Sequence, residues 1–178
     1  MIRKKKLYAR PIKLYEKTRI EEENELLKKY ALKNKREVWK SLAKITYYRK
    51  RAMALARASK EEQDVFFKKL NSIGLKVNSI ANVLGLQIED ILERRLPSIV
   101  AKKGLANSAK HARQMVAHRR IVVGGRVVNI PSYIVPVSLE NQISIKKRGS
   151  GETVASKSIA NEGKNEEGVN NGRSIRRN

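Results

Sequence analysis

Cysteine is absent, which excludes disulfides and any thiolate-ligated metal. Histidine is nearly absent, with only His111 and His118. The two share one side of a predicted helix but lie roughly 10 Å apart along it, too far to hold one zinc ion. Aromatic residues are 5% of the chain, so a core must be mainly aliphatic. No apolar run approaches the roughly 20 residues of a membrane-spanning helix. The N-terminus is basic but lacks the apolar stretch of a secretory signal. MIRKKKLYARPIK is too clustered in charge and too poor in serine to favour a transit peptide. There is no nucleoside-binding loop, Gly-rich phosphate motif or Ser/His/Asp set in a plausible context. Neither catalysis nor a cofactor is therefore predicted. The triplet Glu21-Glu22-Glu23 does not change this, because neighbouring glutamates splay around a helix and no His or Asp lies near.

Acidic residues are scarce overall: 17 Asp and Glu stand against 40 Lys and Arg, a net charge of +23 in 178 residues. Self-repulsion at that charge opposes compaction, so an anionic partner is implied. Nucleic acid is favoured over an anionic membrane surface. The length allows one or two domains.

Residues 1 to 17 carry Arg3, Lys4, Lys5, Lys6, Arg10, Lys13 and Lys17 against one Glu16, and Pro11 interrupts any helix. They read as an extended basic arm that orders on RNA, with Leu7, Tyr8, Ile12, Leu14 and Tyr15 available to pack or stack. Thr18 with Glu21 has the spacing of a capping box, as do Asn34 with Glu37 and Ser59 with Glu62. Three helices are predicted behind these caps. The first has an acidic opening turn and turns Ile20, Leu27 and Ala31 inward. The second runs to about Ala58, with Val38, Leu42, Ile45, Ala52 and Ala56 on one side. Lys40, Lys44 and Arg51 line another side, with Lys50 and Arg57 beside them. No acidic residue lies between Lys40 and Lys60, so this basic face points to phosphate contact. Arg49 falls on the apolar side, against the pattern. Trp39 fits a core position better than a stacking one. The third helix buries Val65, Phe66 or Phe67, Leu70 and Ile73, and ends at Gly74. A connector with a break at Gly85 leads to a short helix over Ile88 to Arg95.

From Leu92 to Val135 the chain reads as helix, tight turn and strands. Pro97 suits a first helical turn, Gly104 a C-terminal cap, and Asn107 or Ser108 the next N-cap. Ala109, Ala112, Met115 and Val116 form an apolar stripe opposite Lys110, His111, Gln114 and His118. Ile121 to Val123, Gly124-Gly125 and Arg126 to Val128 read as a β-hairpin, since both turn positions need positive φ. Pro131 and Pro136 exclude a central strand for the next run. Ser138 to Lys146 alternates weakly and completes a small sheet. From Gly149 the composition cannot build a core, and disorder is expected.

The runs LERRL, KKGLANSAKHARQMVAHRRIVVGGRVVNIPSYIVP and YEKTRIEEENELLKKYALKNKREVW resemble the S-four family of small-ribosomal-subunit proteins, in its eukaryotic and archaeal branch. The resemblance spans roughly residues 7 to 148. The short module is shared with pseudouridine synthases and bacterial tyrosyl-tRNA synthetases, but module plus upstream half is specific. The expected fold is α+β. An N-terminal helical lobe with its basic arm precedes a small two-helix/β-hairpin RNA-binding module and a low-complexity tail. The parts are residues 1–17, 18–90, 91–148 and 149–178.

The resemblance implies a structural, non-enzymatic constituent of the small subunit. Such proteins bind a junction in the 5′ domain of the small-subunit rRNA and join assembly early. They lie near neighbouring small-subunit proteins and the channel through which mRNA enters. The location implied is the cytoplasmic ribosome, with nucleolar assembly if the source is eukaryotic. The candidate RNA-binding residues of the module are Arg94, Arg95, Lys102, Lys103, Lys110, His111, Arg113, His118, Arg119, Arg120 and Arg126. They join Lys40, Lys44, Arg51 and the arm residues Arg3, Lys4, Lys5, Lys6 and Arg10. Arg94 has a structural alternative, a pair with Asp90 four residues earlier. The other readings are a nucleolar rRNA-processing factor bearing the same module, or a subunit of an RNA-modifying enzyme.

Overall fold

The computed structural model describes residues 7–146. Arg3, Lys4, Lys5, Lys6 and the tail from Gly149 lie outside the described residues.

Three helices open the fold: α1 (Lys17–Lys29), α2 (Lys35–Leu55) and α3 (Lys60–Ile73). The start of α1 differs from the expected capping box. Its N-cap is Glu16 and Thr18 already lies inside the helix. Arg19 fixes this start by donating to the carbonyls of Lys13 (2.8 Å) and Leu14 (3.1 Å) and pairing with Glu23 at 2.7 Å. The glutamate triplet therefore falls beyond the first turn, and Glu23 is buried rather than placed at the dipole. Asn34 is the N-cap of α2, but its side chain makes no capping bond; the Glu37 amide donates instead to the Asn34 carbonyl at 3.1 Å. Helix α2 stops at Leu55, short of Ala58, where the Gln63 amide donates to the carbonyls of Leu55 (3.0 Å) and Ala58 (3.2 Å).

Val38, Ile45 and Ala52 of α2 are buried as expected, whereas Leu42, at the margin of that sector, is 45% exposed. Val65 of α3 is likewise 67% exposed, while Phe66 and Phe67 both pack inward. Arg49 keeps its inward position by donating to the Leu86 carbonyl at 2.7 Å. Two short helices follow, α4 (Ile80–Leu84), ending at Gly85, and α5 (Ile88–Glu93). Ile45, Leu70, Val77, Val83 and Ile91 form the core among these elements, and Tyr30, Leu32, Val38 and Leu92 form a second cluster under α1.

The module consists of α6 (Leu96–Lys102), α7 (Ala109–Ala117), β1 (Ile121–Val123), β2 (Arg126–Val127), α8 (Val137–Glu140) and β3 (Ile143–Ile145). Its strands form an antiparallel sheet in the order β2-β1-β3, with Val122 opposite both Val127 and Ser144. Gly124 (φ 56°) and Gly125 (φ 79°) make the tight turn, as both left-handed positions require. Ser108 caps α7 by accepting from the His111 amide, 3.2 Å away. Leu96, Val100, Ala112, Val116, Ile121 and Val135 form the aliphatic core of this part.

The two parts are stitched by residues 129–136, whose prolines keep it out of the sheet. Val135 donates to the Arg94 carbonyl (3.1 Å) and Leu96 to the Tyr133 carbonyl (2.9 Å). Ile134 packs back into the helical core beside Ile91.

Candidate nucleic-acid interface

The structure sorts the candidate cations into two groups. One is turned inward. Arg94 does not pair with Asp90, which instead accepts from the Gln87 amide. Its guanidinium donates to the carbonyls of Ile73 (2.9 Å) and Val135 (3.1 Å) and to Glu140 (2.9 Å). Gly74, at φ 92°, lies directly against it: a Cβ there would meet Arg94 Nε at 2.5 Å. Arg94 thus ties α3 to the module.

Arg95 is 6% exposed and pairs with Glu37 at 2.6 Å. Arg113 approaches the same carboxylate with both terminal nitrogens, at 2.7 and 3.1 Å, and also reaches the Ala31 carbonyl at 3.4 Å. Glu37 of α2 is therefore clasped by one arginine at the start of α6 and one on α7. Burial alone would raise its pKa, but hydrogen bonds from Arg113 and Arg95, with their charge, hold it down at about 2. Glu23 is held below the ordinary carboxylate range in the same way. Burial opposes this, and the Trp39 indole, Arg19 and Lys35 outweigh it. Trp39 is thus a half-buried residue with a polar task, its Nε1 donating to Glu23 at 2.9 Å.

The second group faces outward. Lys102 and Lys103 are exposed; Lys102 pairs with Glu93 at 2.6 Å and Lys103 donates to the Glu140 carbonyl. Lys110, His111, His118, Arg119, Arg120 and Arg126 are all exposed, and no ion pair neutralises them among the described residues. His111, Gln114, Met115, His118 and Arg120 line a shallow cleft of about 210 Å³. The periodicity of α7 dictates this: buried Ala112 and Val116 fix which residues face out.

Arg119 has φ 57°, the left-handed position of a Schellman turn closed by the Arg120 amide on the Met115 carbonyl at 3.0 Å. Glycine commonly fills that position, and the structure keeps an arginine there.

On α2, Lys40, Lys44 and Arg51 are exposed along one side, as the spacing predicts. The Lys40 ammonium lies 5.9 Å from the centre of the Tyr8 ring, and that ring is 6.3 Å from Trp39. The described part of the arm therefore lies on α2 through Tyr8, while Arg10 is exposed. Lys40 and Lys44 also line a cleft of about 310 Å³ between α2, α7 and the 129–136 segment.

Sequence reasoning missed the Glu37 clasp. A signal for it exists, because Glu37 is the one acidic residue between Glu25 and Glu61. A lone carboxylate in so basic a stretch has many cations to choose from.

The S4 domain family matches residues 94–141, from Arg94 to Asn141. The small ribosomal subunit protein uS4 of Methanosphaerula palustris is 45% identical over 148 residues, covering 77% of this chain and 82% of that protein. The uS4 protein of Methanoregula boonei is 43% identical over 150 residues, covering 78% and 81%. That of Halobacterium salinarum is 39% identical over 142 residues, covering 78% and 84%. Such identity runs through the helical part as well as the module, and on that ground the chain belongs to the uS4 family of small-ribosomal-subunit proteins.

Proposed function

We propose that this protein is a structural, non-enzymatic constituent of the small ribosomal subunit that binds its rRNA through one continuous basic face. The observation that carries the reading is the division of labour among its cations. The carboxylates of Glu37 on α2 and Glu140 on α8 are committed to Arg94, Arg95 and Arg113, leaving the outer cations of α2, α7 and the hairpin for an external anion. Folded RNA supplies regularly spaced phosphates and is read largely through its shape.

The direct contacts proposed are Arg10, Lys40, Lys44, Arg51, Lys103, Lys110, His111, His118, Arg119, Arg120 and Arg126, with Lys102 released from an exposed pair. Arg94, Arg95 and Arg113 orient this face from behind. Arg3, Lys4, Lys5 and Lys6 are proposed as further contacts. The finer placement also belongs to the proposal: a junction in the 5′ domain of the rRNA, early assembly, neighbouring small-subunit proteins and a position near incoming mRNA. So does the division at 1–17, 18–90, 91–148 and 149–178. Assembly in a nucleolus applies to a eukaryotic source.

Sedimentation of the native protein tests the reading. Stoichiometric presence in mature small subunits and translating ribosomes is expected. Confinement to precursor particles or to an RNA-modifying complex would replace it with one of the other readings.

A further inference from the structure

The cleft between the helical part and the module has an uneven charge balance. Lys40, Lys44, Arg95 and Arg113 line it with the single carboxylate of Glu37, a local charge of +3. Both Glu37 oxygens are already taken by the two guanidiniums. No carboxylate pairs with Lys40 or Lys44 among the described residues. Lys44 keeps a solvent-exposed surface, yet surrounding protein first and the Arg95 guanidinium second lower its pKa below the ordinary lysine value. A lysine in that position lacks an anion. The rest of the lining is suited to one: Ile91 and Ile134 make an apolar wall that strengthens electrostatic attraction, and the exposed Ser132 offers a hydroxyl.

We infer that this cleft is a seat for a single phosphate group, held by Lys44 with Lys40 and backed by the Arg95–Glu37–Arg113 clasp. A phosphate has the several acceptor oxygens that two ammonium groups and a hydroxyl can share. At about 310 Å³ the cleft sits at the small end of ligand pockets, matching one phosphate and its near surroundings rather than a duplex. A phosphate bound there bridges α2 and the module, so it reports on their relative placement. The inference rests on the RNA-binding reading for its biological source, a backbone phosphodiester, and a free phosphate ion is the other source of the same chemistry.

Two arms test it on the full chain, with Lys44→Gln, the charge-keeping Lys44→Arg, and Lys68→Gln on α3 as a control away from the cleft. In the first arm inorganic phosphate is compared with chloride at matched ionic strength. Phosphate should raise the melting temperature of the wild type and of Lys68→Gln, and this rise should vanish in Lys44→Gln. In the second arm binding to the small-subunit rRNA 5′ domain is followed through a salt series. Lys44→Gln should weaken it about tenfold and reduce the log–log salt slope by about 0.7 to 0.9, one phosphate's worth, with Lys44→Arg restoring most of both. Success in both arms identifies the RNA backbone as the source. Success of the phosphate arm alone upholds the seat with free phosphate as its ligand. A loss of RNA binding without phosphate-specific stabilisation overturns the seat, since Lys44 would then be an ordinary surface contact. Null results in both arms also overturn it, while intact wild-type RNA binding leaves the ribosomal reading standing. Failure of the wild type to bind the RNA counts against that reading, and the phosphate arm then decides the seat.

Discussion

Replacing Glu37 with glutamine sets charge against geometry. The substitution removes one negative charge from a +23 chain, so electrostatics alone would strengthen RNA binding. The clasp argues the opposite. Holding the Glu37 carboxyl at about 2 instead of 4.5 corresponds to about 3 kcal/mol of preference for the ionised folded form, at about 1.4 kcal/mol for each tenfold. The side chain is 17% exposed, so solvent screening does not erase this. Removing one partner of a buried pair typically costs about 3 to 5 kcal/mol, in agreement. Glu37→Gln should therefore lower the melting temperature by about 6 to 12 °C, at about 2 to 4 °C per kcal/mol for a chain of this size. It should also weaken RNA binding, because α2 and α7 lose the pin that sets one basic surface against the other.

The pH dependence follows from the sign of the shift. The folded pKa is depressed, so the stabilisation is complete above about 4.5 and is lost as pH falls toward about 2. Denaturant unfolding of wild type and Glu37→Gln should differ most near neutrality and converge as pH falls through that window. A melting temperature within about 2 °C of wild type, or tighter RNA binding, would refute the reasoning.

Arg119→Gly should raise the melting temperature by about 2 to 4 °C, since glycine relieves a left-handed backbone worth about 1 kcal/mol, while RNA affinity falls. Unchanged RNA affinity would remove Arg119 from the interface. Ala31→Gly relieves the corresponding turn after α1, where Ala31 has φ 49°. It should give a similar rise in thermal unfolding with no change in RNA binding. Gly74→Ala should destabilise by about 2 kcal/mol or more in denaturant unfolding, because the left-handed φ and the collision with Arg94 add; a neutral result would mean that Arg94 is not anchored there. Lys102→Gln breaks only an exposed pair, so stability should move by less than about 0.5 kcal/mol while the salt slope of RNA binding falls.

Elements whose cause is local were legible in the sequence. The hairpin needed two residues at positive φ and Gly124-Gly125 supplied them; the stripe on α7 needed only its spacing; and Gly74 marked the end of α3, whereas Ser59 is the N-cap of α3 without the expected capping box, since its side chain makes no capping bond. The start of α1 was misread because Arg19, a residue with no capping preference, satisfies the preceding carbonyls from within the helix. The roles of the arginines were the least legible, and the reason is distance along the chain. Arg95 and Arg113 meet Glu37 across 58 and 76 residues, and Arg94 meets Glu140 across 46. In a pattern of charges an arginine that binds RNA and one that braces the surface behind it look identical. They differ in which carboxylate reaches them, and carboxylates are the scarce partner here. With 17 acidic residues for 40 basic ones, each half-buried carboxylate selects a few cations to turn inward and leaves the rest at the surface. Glu37 takes two arginines and Glu140 one, so the exposed basic face is defined as much by where the acids sit as by where the bases do.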